Sequence, residues 1–278
     1  MPVIIETVAE LRRHLRPWRD AADMIGIVPT MGALHEGHVS LIHRAFHECA
    51  HVVTSIFVNP RQFDNDVDLE KYPRSHDEDI VLASEAGSDV IFMPSLQEVY
   101  PDGFASFVSV GGIADRLEGR HRPGHFNGVA TIVTKLFGMS GADRAYFGEK
   151  DWQQLQVVGQ LVRDLDLPIE IIGCGIVRAP DGLALSSRNT RLSPDARAVA
   201  PSLYQTISRA ADAVRQNADA AETLDAARAQ LLGAGFERID YLDLCDAETL
   251  AAPEAGRPRR LLAAAWLDDV RLIDNLPV

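Results

Sequence analysis

Met24-Ile25-Gly26-Ile27-Val28-Pro29-Thr30-Met31-Gly32-Ala33-Leu34-His35-Glu36-Gly37-His38 is the stretch on which the fold turns. Residues 24–28 form a short apolar run that Pro29 ends, and Pro29 to Gly32 has the composition of a tight connection. A buried strand therefore hands over to a helix that opens on two imidazoles, His35 and His38. The first turn of a helix has backbone N–H groups without intrahelical partners and the positive end of a dipole. An anion such as phosphate is favoured there, and Gly37 leaves room for close approach. Winding the sequence at ~100° per residue puts Val39, Ile42, Phe46, Cys49 and Ala50 on one face and Ser40, Arg44, Glu48 and His51 on the other. His35 and His38 fall on or near the apolar side, which points them over the sheet edge.

Five of the nine histidines lie between positions 35 and 51, so a metal site has to be weighed. His43, His47 and His51 drift onto the solvated flank. No Cys or carboxylate stands at usual ligand spacing, and a HExxH pattern is absent. Phosphate chemistry is the better reading of His35 and His38, and a solvated face that of the other three.

The chain has 278 residues, 46% of them hydrophobic, enough for one large domain and a smaller one. A net charge of −13 without a basic stripe argues against a nucleic-acid surface. Three dispersed cysteines, Cys49, Cys174 and Cys245, suggest neither a disulfide framework nor a zinc ribbon, and fit a reducing, cytoplasmic setting. Met1 to Glu10 has no targeting pattern, and no apolar run approaches the ~20 residues that cross a bilayer. Of 27 basic residues only Lys71, Lys135 and Lys150 are lysines, which singles out Lys150 by its setting.

Through the first two-thirds, short apolar runs alternate with helical patterns, the mark of a parallel sheet with crossover helices. Strands are expected at 24–28, 52–58, 90–93, 145–147 and 169–174, and helices at 39–50, 77–86, 128–139 and 152–164. The fold class is α/β, a Rossmann-like doubly wound parallel sheet. Beyond Pro194, Ala-rich helical patterns over 195–215 and 220–232 precede strand-like runs at 239–244, 261–267 and 271–273. These suggest a smaller α+β domain with a boundary near 176–181, giving domains at 1–177 and 178–278.

Ligands of such sheets bind beyond the carboxyl ends of the strands. Four polar segments follow those ends: 29–38, Asn59-Pro60-Arg61-Gln62-Phe63, Gly148-Glu149-Lys150-Asp151, and 178–188. In the third, Lys150 suits phosphate oxygens and Asp151 suits a helix cap, although a solvated turn would look the same. Leu185-Ser186-Ser187-Arg188-Asn189 offers two hydroxyls and a guanidinium that could wrap a polyphosphate, or it is a Ser-rich linker. Gln62 and Gln154 are neutral amides suited to the hydroxyl and carboxyl groups of a small substrate, or are surface residues. Arg116, Arg120, His121, Arg122 and His125 around Pro123-Gly124 fit a cationic lid, a dimer-facing loop or a solvated turn equally.

Taken together, Pro29 to His38, Phe57 to Phe63, Tyr72-Pro73-Arg74, Gly124 to Val129, Tyr146 to Asp151 and Ser186 to Asn189 resemble the pantoate-β-alanine ligase (pantothenate synthetase) family. HxGH alone is shared by the wider nucleotidyltransferase superfamily; the ensemble, in this order from 29 to 192, is specific. The resemblance implies that ATP, (R)-pantoate and β-alanine give pantothenate, AMP and diphosphate through a pantoyl-adenylate, with Mg²⁺ on the phosphates. It places ATP on Met31, Gly32, Ala33, Leu34, His35, Glu36, Gly37 and His38, on Gly148, Glu149, Lys150 and Asp151, and on Val177, Leu185, Ser186, Ser187 and Arg188. It places pantoate on Gln62 and Gln154, with Gln62 also serving the β-alanine step. It makes His38 a general acid and sets His35, Lys150 and Arg188 to work at the phosphates. A homodimer is part of the same implication. Leu185 stands where the family usually carries Met, a volume-conserving change of small cost.

The physics agrees. An attacking carboxylate and a triphosphate repel one another, so charge neutralisation and alignment are the main needs. An adenylate also has to be shielded from water, by the C-terminal domain or by the 116–126 segment. The enzymatic rival is another HxGH enzyme that adenylates a different small acid. A non-catalytic nucleotide sensor would have no use for Gln62, Gln154, Lys150 and Arg188 around one pocket.

Overall fold

The computed structural model describes residues 2–64 and 66–278. Its elements, in chain order, are β1 (Val3–Ile5), α1 (Val8–Asp20), β2 (Ile25–Thr30), α2 (Glu36–Glu48), β3 (His51–Ile56), α3 (Asp66–Glu70), α4 (His76–Glu85), β4 (Val90–Phe92), α5 (Leu96–Val99), α6 (Leu117–His121), α7 (His125–Ser140), β5 (Arg144–Gly148), α8 (Trp152–Asp164) and β6 (Glu170–Cys174). Then follow α9 (Pro194–Val199), α10 (Ser202–Arg215), α11 (Ala220–Ala234), β7 (Arg238–Asp246), β8 (Arg259–Leu267) and β9 (Val270–Pro277). The chain divides into two compact units, 1–111 with 122–149 and 157–175, and 112–121 with 150–156 and 176–278.

The first unit is built on a six-stranded parallel sheet of order β1-β4-β3-β2-β5-β6. From β2 the chain moves outward to β3 and β4, then returns to β5 on the other side of β2, so the strand order reverses between β2 and β5. That reversal opens a crevice at the carboxyl ends of the two strands. The core strands are largely apolar because both faces are covered, with Thr54 and Ser55 of β3 as buried polar exceptions: Val28, Val52, Ile56 and Ile91 pack with Leu41, Ile42 and Ala45 of α2 and Ala83 of α4. β2 runs to Thr30, beyond the expected end. Pro29 lies opposite Ser55 of β3, past the Gly26 and Ile27 pairing with β5, so its missing N–H costs no ladder bond on that side.

Three expectations need correction. Glu36 opens α2, three residues before the expected Val39, because the imidazoles supply the cap. Phe46, expected in the core, is 54% exposed, and its ring covers Gly87. His51 is not on a helix flank at all: it starts β3, stacks at 3.8 Å on Trp18 and lies 3.3 Å from Asp23.

The second unit centres on the antiparallel sheet β7-β8-β9. Along β8 the residues alternate between two apolar layers. Leu261, Ala263 and Ala265 pack under α10 and α11 with Leu203, Ile207 and Leu231, while Leu262 and Ala264 face Leu117, Tyr241 and Leu250. The helix expected over 195–215 is two, α9 and α10, broken at Ala200-Pro201 where proline removes a donor.

Candidate active site

β2 delivers the chain to a turn that is held from below. Gly32 (φ +82°) and Ala33 (φ +50°) both adopt left-handed backbone, and a Cβ on Gly32 would lie 2.9 Å from Asp79 Oδ2. Asp79, on α4 and 1% exposed, accepts the N–H groups of Ala33 (2.9 Å) and Leu34 (2.7 Å) and the Ser75 hydroxyl (3.2 Å). His35 then takes extended backbone as the N-cap of α2. Its Nδ1 accepts the Gly37 N–H at 3.1 Å, and His38 Nδ1 accepts the His35 N–H at 3.3 Å. The two rings lie 4.2 Å apart.

This geometry corrects how an anion would be met. Gly32 N–H goes to Thr30 Oγ1, and His38 and Val39 N–H go to the His35 carbonyl. From residue 32 to 39, only the Glu36 N–H lacks a hydrogen bond among the described residues. The expected row of open backbone donors is filled from within.

Gln62 is fixed in a second network of the same unit. Asn59, 1% exposed, donates from Nδ2 to Gln62 Oε1 (3.0 Å) and to the Gly128 carbonyl (3.1 Å), and accepts the Tyr100 hydroxyl at 2.8 Å. Burial pushes the Tyr100 phenol up to about 12 against the opposing pull of Arg61. His125 Nδ1 (2.6 Å) and Arg122 Nη2 (3.2 Å) donate to the Gln62 carbonyl. The turn sits so close to α7 that a Cβ on Gly128 would meet the Arg61 carbonyl at 2.2 Å. With Oε1 engaged by Asn59, Gln62 offers its Nε2 hydrogens, which have no acceptor among the described residues.

Gly148 ends β5 and Glu149 follows it in the first unit, and the remaining expected site residues belong to the second. Lys150 Nζ lies 3.7 Å from Asp151 Oδ2, so Asp151 faces Lys150 and does not cap α8 as expected. The Lys150 carbonyl accepts Asn275 Nδ2 at 3.0 Å. Val177 and Leu185 meet across a hairpin in which the Leu185 N–H donates to the Val177 carbonyl at 3.0 Å. Gly182 (φ +95°) makes its tip, and Asp181 Oδ1 accepts the Leu183 N–H at 3.2 Å. Arg178 anchors this hairpin with paired bonds of 2.6 and 2.7 Å to Asp274. Ser186 caps the short 3₁₀ turn Ser187–Arg191, its Oγ accepting the Arg188 N–H at 3.3 Å. Ser186 and Lys150 line one small cavity with Asn189, whose buried Oδ1 has no hydrogen-bond partner among the described residues.

Neighbouring glutamines separate by role. Gln153 is buried and donates to the carbonyls of Ile113 and Arg116 at 2.8 Å each while accepting the Glu118 N–H at 2.9 Å. Gln154 is half-buried, and its side chain has no hydrogen-bond partner among the described residues. The 116–126 segment is anchored at both ends: Arg116 donates to the Leu250 carbonyl (3.4 Å) in the second unit, and Arg122 pairs with Asp64 (3.0 Å) in the first. Sequence reasoning did not single out Asp79, Asn59, Tyr100 or Gln153. Only burial distinguishes Asp79 from Asp77 and Glu78 beside it.

A parallel sheet with an HxGH helix start after β2 and a Gly-Glu-Lys-Asp turn after its neighbour β5 defines an α/β enzyme that handles a nucleotide. The chain belongs to the pantoate-beta-alanine ligase family, whose model matches residues 3–277. It is 57% identical over 279 residues to a pantothenate synthetase of Cereibacter sphaeroides strain ATCC 17029, covering 100% of both chains. It is 54% identical to the pantothenate synthetase of Paracoccus denitrificans, covering 99% of this chain and 98% of that one. A pantothenate synthetase crystal structure from Thermus thermophilus matches with a TM-score of 0.92 at 46% identity, over 99% of this chain and 98% of that one. A pantoate-beta-alanine ligase from Francisella tularensis, complexed with beta-gamma ATP and beta-alanine, matches with a TM-score of 0.83 at 35% identity, over 100% of this chain and 98% of that one. The chain is thus an enzyme, a ligase of pantoate and β-alanine that uses ATP.

Proposed function

We propose that the ligation runs in two half-reactions at the site residues that the resemblance implies. A pantoate carboxylate oxygen attacks the α-phosphorus of ATP, the bond to the β-phosphate breaks, and diphosphate leaves. The β-alanine amine then attacks the acyl carbon of the pantoyl-adenylate, the bond to AMP breaks, and the amine loses its proton to solvent. ATP is held by Met31 to His38, Gly148 to Asp151, Val177 and Leu185 to Arg188. Lys150 and Arg188 neutralise phosphate charge, and Gln62 Nε2 and Gln154 take the oxygens of pantoate. The observation that carries this reading is the imidazole pair at the carboxyl end of β2, beside β5, where the strand order reverses.

Mg²⁺ is proposed to arrive on the triphosphate and to neutralise its charge. Among the described residues no group of three or more His, Cys, Asp or Glu could hold a metal. Phosphate oxygens and water supply most ligands, which suits an ion that keeps several waters. The region to residue 177 binds ATP and pantoate, and 178–278, with Ser186 to Asn189, shields the adenylate from water. No helix among the described residues is long and apolar enough to cross a membrane; the cytosol is the proposed location. A homodimer is proposed as well, and the exposed Val3 (45%), Ile4 (49%) and Phe107 (70%) are apolar surface that a second copy would cover.

The test is ATP–pyrophosphate exchange by the purified chain with a panel of hydroxy and amino acids. Exchange is expected with pantoate alone. Exchange driven by an amino acid and not by pantoate would overturn the reading.

A further inference from the structure

Lys135 is one of only three lysines in the chain, and the ligation proposed above does not use it. It sits half-buried on α7. The residues one turn away on that helix, Thr131, Ile132, Gly138 and Met139, carry no charge. Its ammonium lies 4.7 Å from the ring centroid of Phe104 and 5.9 Å from that of Tyr100. The guanidinium of Arg61, arriving from the turn after β3, lies 4.7 and 4.6 Å from the same two centroids. Both cations are within the reach of cation–π attraction, and neither side chain has a hydrogen bond or ion pair among the described residues. Asp64 is taken by Arg122 at 3.0 Å. Asp102, on the exposed turn between the two rings, pairs with neither cation.

Two like charges over one pair of rings repel. Burial and the Arg61 charge together hold the Lys135 ammonium below its ordinary value. The chain has 40 carboxylates against 27 Lys and Arg side chains, yet none among the described residues answers this pair. A guanidinium above a ring keeps its N–H groups for an oxyanion, and an ammonium adds a point charge beside it. We propose that Arg61 and Lys135, laid on Tyr100 and Phe104, form a site for a small oxyanion, a carboxylate or phosphate, separate from the residues assigned to ATP and pantoate and coupled to Gln62 through Tyr100 and Asn59. The Tyr100 hydroxyl donates to Asn59 Oδ1 at 2.8 Å, and Asn59 Nδ2 donates to Gln62 Oε1 at 3.0 Å. An anion between the cations replaces repulsion with attraction and seats both on the rings. It thereby steadies the phenol that, through Asn59, holds the Gln62 amide. The coupling rests on the pantoate role of Gln62 proposed above; the anion site does not.

Inorganic phosphate is the probe, titrated at constant ionic strength into the full chain with the nucleotide site filled by a non-hydrolysable ATP analogue. At ten times its dissociation constant phosphate should raise the unfolding temperature by about 2–4 °C, in wild type and in Lys135→Arg, which keeps the charge. Arg61→Gln and Lys135→Met should lose the rise; Met keeps the apolar stem that Lys135 packs on α7, and circular dichroism checks that both variants fold. In pantoate-dependent exchange at saturating ATP, phosphate should lower the wild-type pantoate KM by roughly fivefold or more, the low end of coupling between sites, with kcat unchanged. The two uncharged variants should show no such response. An equal temperature rise in every variant would mean an adventitious ion only and overturn the site. A charge-dependent rise with an unchanged pantoate KM overturns the coupling. Dissociation of Arg61→Gln and Lys135→Met to monomers at concentrations where wild type sediments as a dimer would give the place to a carboxylate of a second copy, which also defeats the proposal. If wild type shows no pantoate-driven exchange, the ligase reading fails, while the unfolding measurements still decide the anion site.

Discussion

The imidazole pair in the first unit and the ion cluster around Arg271 in the second are both partly or wholly buried polar groupings, yet they spend their hydrogen-bonding capacity differently. Arg271 donates from Nε to Asp240 (2.7 Å) and from Nη1 to Glu118 (2.9 Å). Asp240 also accepts the Trp266 indole at 3.0 Å, and Glu118 the Tyr241 hydroxyl at 3.3 Å. Side chains only 8–11% exposed answer one another's charge, and the product is a joint between α6, β7 and β9. His35 and His38 engage the backbone through Nδ1, which turns the second nitrogen of each ring over to other partners. A grouping whose charges answer one another holds structure. One that is braced by the backbone on one edge and presents its other edge elsewhere is equipped for a ligand.

Variants on the two sides should therefore fail in different assays. The largest effect is expected from Arg271→Ala, which strands two buried carboxylates; breaking one partner out of a buried pair costs about 3–5 kcal/mol. Urea or thermal unfolding should show that loss, and a change under about 1 kcal/mol, the range of exposed pairs, would erase the distinction. Lys150→Ala comes next. It should slow pantoate-dependent exchange by roughly 10²–10³, about 2.7–4 kcal/mol of transition-state stabilisation, with the unfolding midpoint close to wild type. Wild-type exchange in that variant would remove Lys150 from the site.

A pH titration sharpens the contrast at smaller scale. Burial works against ionisation of Asp240, but Arg271 and Trp266 outweigh it and hold the carboxyl below its ordinary value of 3.8. A depressed carboxylate binds fewer protons in the folded state, so its contribution is complete above the unfolded pKa near ~3.9 and fades as pH falls through the lower folded value. Stability should consequently drop with a steeper slope below about pH 4, and Asp240→Asn should flatten that slope. An unchanged slope would mean that the cluster does not set the acid limit.

The sequence carried much of the sheet because buried parallel strands are continuous apolar runs: β2 to β6 lie within a few residues of their expected places, and α8 matches at both ends. β1 and α1 escaped. Val3–Ile5 is three residues long and pairs with β4, a partner far along the chain. α1 shows only Leu11 and Leu15 as buried positions among four arginines, with Pro17 inside. Yet Thr7 and Glu10 spell a capping box, and the Glu10 N–H does donate to Thr7 Oγ1 at 3.2 Å; that signal was available. At the site, residue types that bind phosphate and small acids could be read directly, because their chemistry is local. Their supports could not. Asp79 reaches the turn at Ala33 from 46 positions away, and Asn59 orients Gln62 only once Tyr100 and Gly128 are folded against it.

The smallest effects should come from the histidines that share α2 with the pair. His43 and His47 are both exposed, so neither joins the cap nor the sheet. His47 lies in the last turn, where a cation would gain a few tenths of a kcal/mol from the dipole at most. His43→Ala and His47→Ala should each alter stability by less than about 0.5 kcal/mol and leave exchange at the wild-type rate. Composition cannot make that distinction, since all four residues are histidines on one helix start or its body. Position relative to the backbone N–H groups of the first turn makes it: only residues at the N-cap and the third helical position lend Nδ1 to the backbone. A tenfold loss of exchange in either surface variant would break this rule, because it would give a catalytic consequence to an imidazole that the backbone does not hold.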